Sequence, residues 1–161
     1  PGWKIAHVLN KGSEVVKPTV LLGTKQSEIR MIGFNKKIKE YWITNVGGEV
    51  NDIRHGDFNK DGKLEILAGT EGYQFYVLDM DGNAIFYKTL NDRVLKVDAG
   101  IKSGIVFYLA ATAGGQLNKI NEKGQIVDII QFPSEILDIH VAENGSLTQI
   151  VLENGDLYRL N

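Results

Sequence analysis

A chain of 161 residues, 43% of them hydrophobic, holds enough apolar surface for one domain with a sizeable core and too little length for two. Its net charge of −2 gives no bulk electrostatic drive toward nucleic acid or an anionic membrane. The absence of cysteine excludes disulfides, thiolate zinc sites and cysteine nucleophiles together.

The N-terminal stretch PGWKIAHVLNKG lacks the basic start and apolar core of a signal peptide. It leaves open whether a precursor's signal has been removed or export proceeds without one. No apolar run reaches the length of a membrane span. Eighteen glycines and three prolines are spread along the chain, many glycines in turn signals such as Gly47-Gly48, Asp61-Gly62, Asp81-Gly82, Lys123-Gly124 and Asn154-Gly155. Between them lie short runs rich in Val, Ile, Leu, Tyr and Phe, the pattern of many short strands joined by tight turns. The one stretch that invites a helical reading, Gln26 to Tyr41, places Ile29, Met31, Ile32 and Phe34 close to alternation. The fold class is all-β.

Four segments repeat the same turn chemistry: Thr19–Asn45, Lys63–Asn91, Ile105–Phe132 and Leu147–Asn161. Thr24, Thr70 and Thr112 take equivalent places, 46 and then 42 residues apart. VNDIRHGDF, RVLKVDAGI and EILDIHVAE each lead a repeat as an additional strand. A unit of four antiparallel strands in that length fits a β-propeller blade. The single domain 1–161 then divides into four blades, 14–48, 49–92, 93–134 and 135–161, the last completed by residues 1–13. In this reading the N-terminal strand closes the fourth blade and hides its edge. The inner strand of the first blade falls around Glu14-Val15-Val16-Lys17. A piece of a larger propeller completed by oligomerisation is the second choice, and an open solenoid the third.

The segment HGDFNKDGKLEILAGTEGYQFYVLDMDGN organises the rest. Asp57, Asn59 and Asp61 stand at alternate positions, followed by Gly62 and Glu65. Oxygen side chains two residues apart with glycine at a sharp turn suit a hard cation such as calcium. The bland alternative is an Asp/Asn/Gly-rich turn that needs no metal.

Gly56 to Leu78, GDFNKDGKLEILAGTEGYQFYVL, resembles the FG-GAP/VCBS repeat of integrin-α-type propellers. That family's mark is a D-x-[DN]-x-D-G-x-x-[DE] loop between two blade strands. The chain matches it once, and elsewhere keeps only the rhythm of strands and turns. The resemblance implies a calcium ion held by side-chain oxygens of Asp57, Asn59, Asp61 and Glu65 and by the carbonyl of Lys63. Glu65 stands where the family more often has Asp. One structural ion is expected, and the turns at Asp81 and Asn121 carry no second ligand set.

Aligning the innermost strands groups Ile53, Val97 and Ile139 as packing residues and brings Asp52, Arg54, Lys96, Asp98, Asp138 and His140 toward the axis. Such a cluster binds a small polar ligand or, more commonly, forms a self-satisfied salt-bridge network. His7, His55 and His140 have no metal-ligand spacing, and no serine lies in a nucleophile-elbow context. The chain is therefore expected not to be an enzyme. Trp3, Tyr41 and Trp42 are placed on outer strands, and Tyr73, after the Glu71-Gly72 turn, is the aromatic expected to be exposed for binding.

The expected function is a calcium-stabilised binding or structural module for a protein or glycan, engaged through blade loops. A cell-surface, extracellular or virion setting is favoured over the cytoplasm, and homo-oligomerisation or assembly into a larger particle fits the same reading. The competing class is a propeller-type lyase or hydrolase using Asp52, Asp98 or Asp138 with His140.

Overall fold

The computed structural model describes residues 3–9, 19–142 and 145–160, with side chains from Thr19 onward except Asn35. These residues form fifteen strands in four antiparallel sheets and no helix. The first sheet runs β1 (Trp3–Leu9), β2 (Thr19–Thr24), β3 (Glu28–Asn35) and β4 (Lys37–Asn45). The second runs β5 (Val50–Gly56), β6 (Glu65–Thr70), β7 (Gln74–Leu78) and β8 (Ala84–Thr89). β9 (Val94–Lys102), β10 (Ile105–Thr112), β11 (Gln116–Asn121) and β12 (Ile126–Gln131) make the third. The fourth has three strands, β13 (Ile136–Val141), β14 (Thr148–Leu152) and β15 (Leu157–Leu160).

The sheets pack face to face in chain order, with the second strands of the two central sheets, β6 and β10, buried on both faces. All six residues of β6 are buried. Leu21, Ile29 and Met31 of the first sheet share a core with Ile53, Ile66 and Leu78 of the second. Leu67, Phe75 and Val77 then meet Val97, Tyr108 and Ile120 of the third. Phe107, Leu109 and Leu117 meet Ile139, Ile150 and Leu152 of the fourth.

Each first strand is an inner strand. β1 lies beside β5, β5 beside β9 and β9 beside β13, and among the described residues no comparable packing joins β13 back to β1. Every inner strand carries a register irregularity near its start, next to Trp3, Val50, Val94 and Ile136. The equivalent threonines face those first residues: Thr24 opposite Trp3, Thr70 opposite Val50 and Thr112 opposite Val94. All three are buried.

One expectation is corrected. The N-terminal strand does not close the fourth blade: β1 pairs with β2, Leu9 opposite Thr19 and Trp3 opposite Thr24, as the inner strand of the first blade. It lies beside β5, as the other inner strands lie beside one another, so Trp3 is not on an outer strand. The segment Glu14–Lys17, expected there instead, lies outside the described residues.

Candidate metal centre and axial cluster

The loop of residues 57–64 joins inner strand β5 to β6, and its own side chains shape it. Asn59 Oδ1 accepts the Asp61 amide at 2.9 Å, Asp61 Oδ1 accepts the Lys63 amide at 2.8 Å, and Asp57 Oδ2 accepts the Gly62 amide at 3.0 Å. Gly62 has φ +87°, a left-handed conformation that glycine adopts without steric cost. Phe58 packs against the core between the second and third sheets and pins the loop to the scaffold. Its amide donates to Glu65 Oε2 at 2.9 Å.

Glu65 is the first residue of β6 and only 3% exposed. Burial pushes its carboxyl above the usual range, the Phe58 amide opposes that rise, and the charges of Asp61 and Asp57 add to it. Asp57, Asp61 and Glu65 each offer an oxygen, all within 4.8 Å of one another. Asp57 Oδ1 is out of solvent and has no hydrogen-bond donor among the described residues. Three convergent carboxylates and one orphaned buried oxygen fit a hard divalent cation and nothing softer. Asn59 lies beside this group, its Nδ2 3.2 Å from Asp61 Oδ2, and Lys63 sits between Gly62 and β6 with its amide fixed by Asp61. Behind the loop, burial and then the nearby Glu65 push the Tyr108 hydroxyl up to about 12.

Register places Asp52 and Asp138 at one repeat position, with Arg54 and His140 two residues further along. The carboxylates bind main chain of the following blade. Asp52 Oδ2 accepts the Val97 amide at 3.0 Å, and Asp98 Oδ2 accepts the Val141 amide at 2.8 Å. Arg54 stands between sheets, with Nη2 3.3 Å from Asp138 Oδ1 and Nε 3.8 Å from Asp52 Oδ2. Burial raises the Asp98 carboxyl against the Val141 and Ala99 amides and the charges of Arg54 and His140. Lys96 makes no ion pair among the described residues.

A cavity of about 480 Å³ opens between the 57–64 loop and the inner strands, lined by His55, Asp57, Lys60, Asp98 and Gly100. Of the axial residues only Asp98 lines it; Asp52, Asp138 and His140 are not gathered there. Tyr73, at the other end of β6, is 46% exposed with φ +68°. The corresponding turn positions hold Ser27 at +65°, Gly115 at +78° and Gly155 at +91°. Tyr41 is exposed, whereas Trp42 packs between sheets and donates from Nε1 to the Met80 carbonyl at 2.9 Å. The anchoring role of Phe58 was not foreseen. Its signal is an aromatic inside an otherwise polar loop.

No protein-family model matches the chain, and no curated protein matches it. Solved structures do. The chain is similar to Saccharomyces cerevisiae Sqt1, with a TM-score of 0.83 at 9% identity over 98% of this chain and 45% of that one. It is also similar to BBS1N, crystallised in complex with ARL6DN, with a TM-score of 0.70 at 13% identity over 96% of this chain and 48% of that one. The chain spans about half the length of each of these structures. At such identities the likeness shows the fold, and the fold is a β-propeller.

Proposed function

We propose that this chain is a non-catalytic β-propeller module that binds a partner protein through its turns and holds one structural calcium ion, of the FG-GAP/VCBS kind, in the 57–65 loop. One observation carries the metal half: the buried Glu65 converges with Asp57 and Asp61 within 4.8 Å, and Asp57 Oδ1 is left without a donor. A bound cation offsets that mutual repulsion and fixes the turn between β5 and β6. The partner half is supported by the fold, since BBS1N is found in complex with ARL6DN, and by the exposed, left-handed Tyr73. The axial carboxylates act as clasps between blades, which speaks against the lyase or hydrolase reading. A calcium-rich setting at a cell or virion surface suits such a site.

Isothermal titration tests the metal half. One calcium should bind per chain, and Asp61→Ala should abolish the heat. Absence of binding to the wild type, or unchanged binding to the variant, overturns the proposal.

A further inference from the structure

Between the third and fourth sheets lies a cavity of about 120 Å³, with Phe107, Leu117 and Leu160 in its apolar wall and Lys102, Lys119 and Thr148 among its polar lining. The repeat explains why it is there. Ala68, Ala110 and Ile150 pair with Ile53, Val97 and Ile139, which makes Ile66, Tyr108 and Thr148 equivalent two residues earlier. Ile66 fills the first interface and Tyr108 the second. Thr148 is too small to fill the third. On the facing blade the positions opposite Leu21, Leu67 and Leu109 hold Met31, Val77 and Lys119. Two apolar partners are thus replaced at once, by a small hydroxyl and a cation, in one interface only.

Lys119 lies with its ammonium 4.7 Å from the centre of the Phe107 ring. Neither Lys119 nor Lys102 forms an ion pair among the described residues, although Asp128 sits opposite Lys119 in the sheet and also lines the cavity. The result is a hollow with one apolar wall and one polar wall, the latter carrying two lysines against the single carboxylate of Asp128. A void of about 150 Å³ accepts benzene, so this one suits a group of about four or five carbons.

Resting on the protein-binding reading above, we propose that this cavity seats a branched aliphatic side chain lying next to a carboxylate in a segment of the partner. The carboxylate meets Lys119 and Lys102 while the alkyl group takes the volume that Tyr108 occupies one interface earlier. Charge complementarity favours this occupant over an uncharged or basic one.

The test titrates 4-methylpentanoate into the full chain and follows the methyl signals of Leu117 and Leu160 by NMR. Saturable shifts are expected in the wild type. Thr148→Tyr, which restores the sibling side chain, should abolish them and should not lower the melting temperature. Lys119→Val, and separately the amide 4-methylpentanamide, should each weaken binding about tenfold, the loss expected for one charge-assisted contact. Should Thr148→Tyr fail to fold, those two comparisons decide the matter. A short peptide ending in leucine should bind more tightly than the free acid, and equal affinity would overturn a peptide occupant. No saturable shift in the wild type, or full binding by Thr148→Tyr, overturns the site. Calcium titration and partner capture through Tyr73 are unaffected by that failure, so the two readings fail separately.

Discussion

Gly69→Ala probes how closely the blades are set. Gly69 lies in β6 opposite Asp52 and Phe75, facing the start of β9. An added Cβ would stand 2.7 Å from Val94 Cγ1 and 2.9 Å from the Val94 carbonyl oxygen. The methyl can rotate away. The oxygen cannot, because it belongs to inner-strand backbone and accepts Asn51 Nδ2 at 3.1 Å. Overpacking of this kind costs about 1–3 kcal/mol. For a domain of this size each kcal/mol lowers Tm by about 2–4 °C, so the expected drop is roughly 2–12 °C. The third blade already carries Ala111 at the corresponding place, buried against the fourth, so a Cβ is tolerated where the spacing allows it. Thermal and urea unfolding would be run on Gly69→Ala, Val94→Ala and the double variant. Trimming Val94 relieves part of the clash, so the double variant should be more stable than the sum of the singles predicts, by about 0.5 kcal/mol or more. A Gly69→Ala protein that melts with the wild type would refute the claim that this contact sets blade spacing.

Three further outcomes are expected. The raised Asp98 carboxyl holds its proton more tightly folded than unfolded, so its contribution to stability is largest in acid and is lost as pH rises through the raised value. The stability of the wild type relative to Asp98→Asn should therefore fall as pH rises above about 4, the ordinary aspartate value, and a flat or rising difference would contradict the cause given. Tyr73→Gly relieves a left-handed tyrosine and should leave stability equal or raise it by up to about 1 kcal/mol, while weakening capture of the partner. A stability loss, or unimpaired capture, would remove Tyr73 from the binding surface. Trp42→Phe deletes the hydrogen bond to the Met80 carbonyl and should cost about 1 kcal/mol or more in urea unfolding, whereas no loss would mean that contact is idle.

Much of the architecture was legible because local chemistry and global fold agree here. The threonines at 24, 70 and 112 mark the ends of second strands, and β6 and β10, in the two central sheets, are apolar on both faces because a neighbouring sheet packs on each. The inner-strand alignment of Ile53, Val97 and Ile139 holds in the observed register. The place of β1 was not legible. WKIAHVL alternates much as the outer strand AIFYKT does, and pattern alone does not say which edge of a sheet a strand joins. The better signal is an apolar pair three residues apart flanking a bulge, Val50 with Ile53, Val94 with Val97 and Ile136 with Ile139, which Trp3 and Ala6 repeat. In the 57–65 loop the convergence of the acidic side chains was readable, since they lie within nine residues. The anchoring of Phe58 depends on its packing with the third sheet, more than thirty residues away.

The central claim is that an ion in the 57–65 loop stabilises the propeller. Thermal unfolding of wild type and Asp61→Ala, each with and without excess calcium, tests it directly. Calcium at about one hundred times its dissociation constant should add about 2.7 kcal/mol, a rise of roughly 5–11 °C in Tm, to the wild type and nothing to the variant. Equal melting of the wild type with and without calcium, or the same rise in Asp61→Ala, would contradict it.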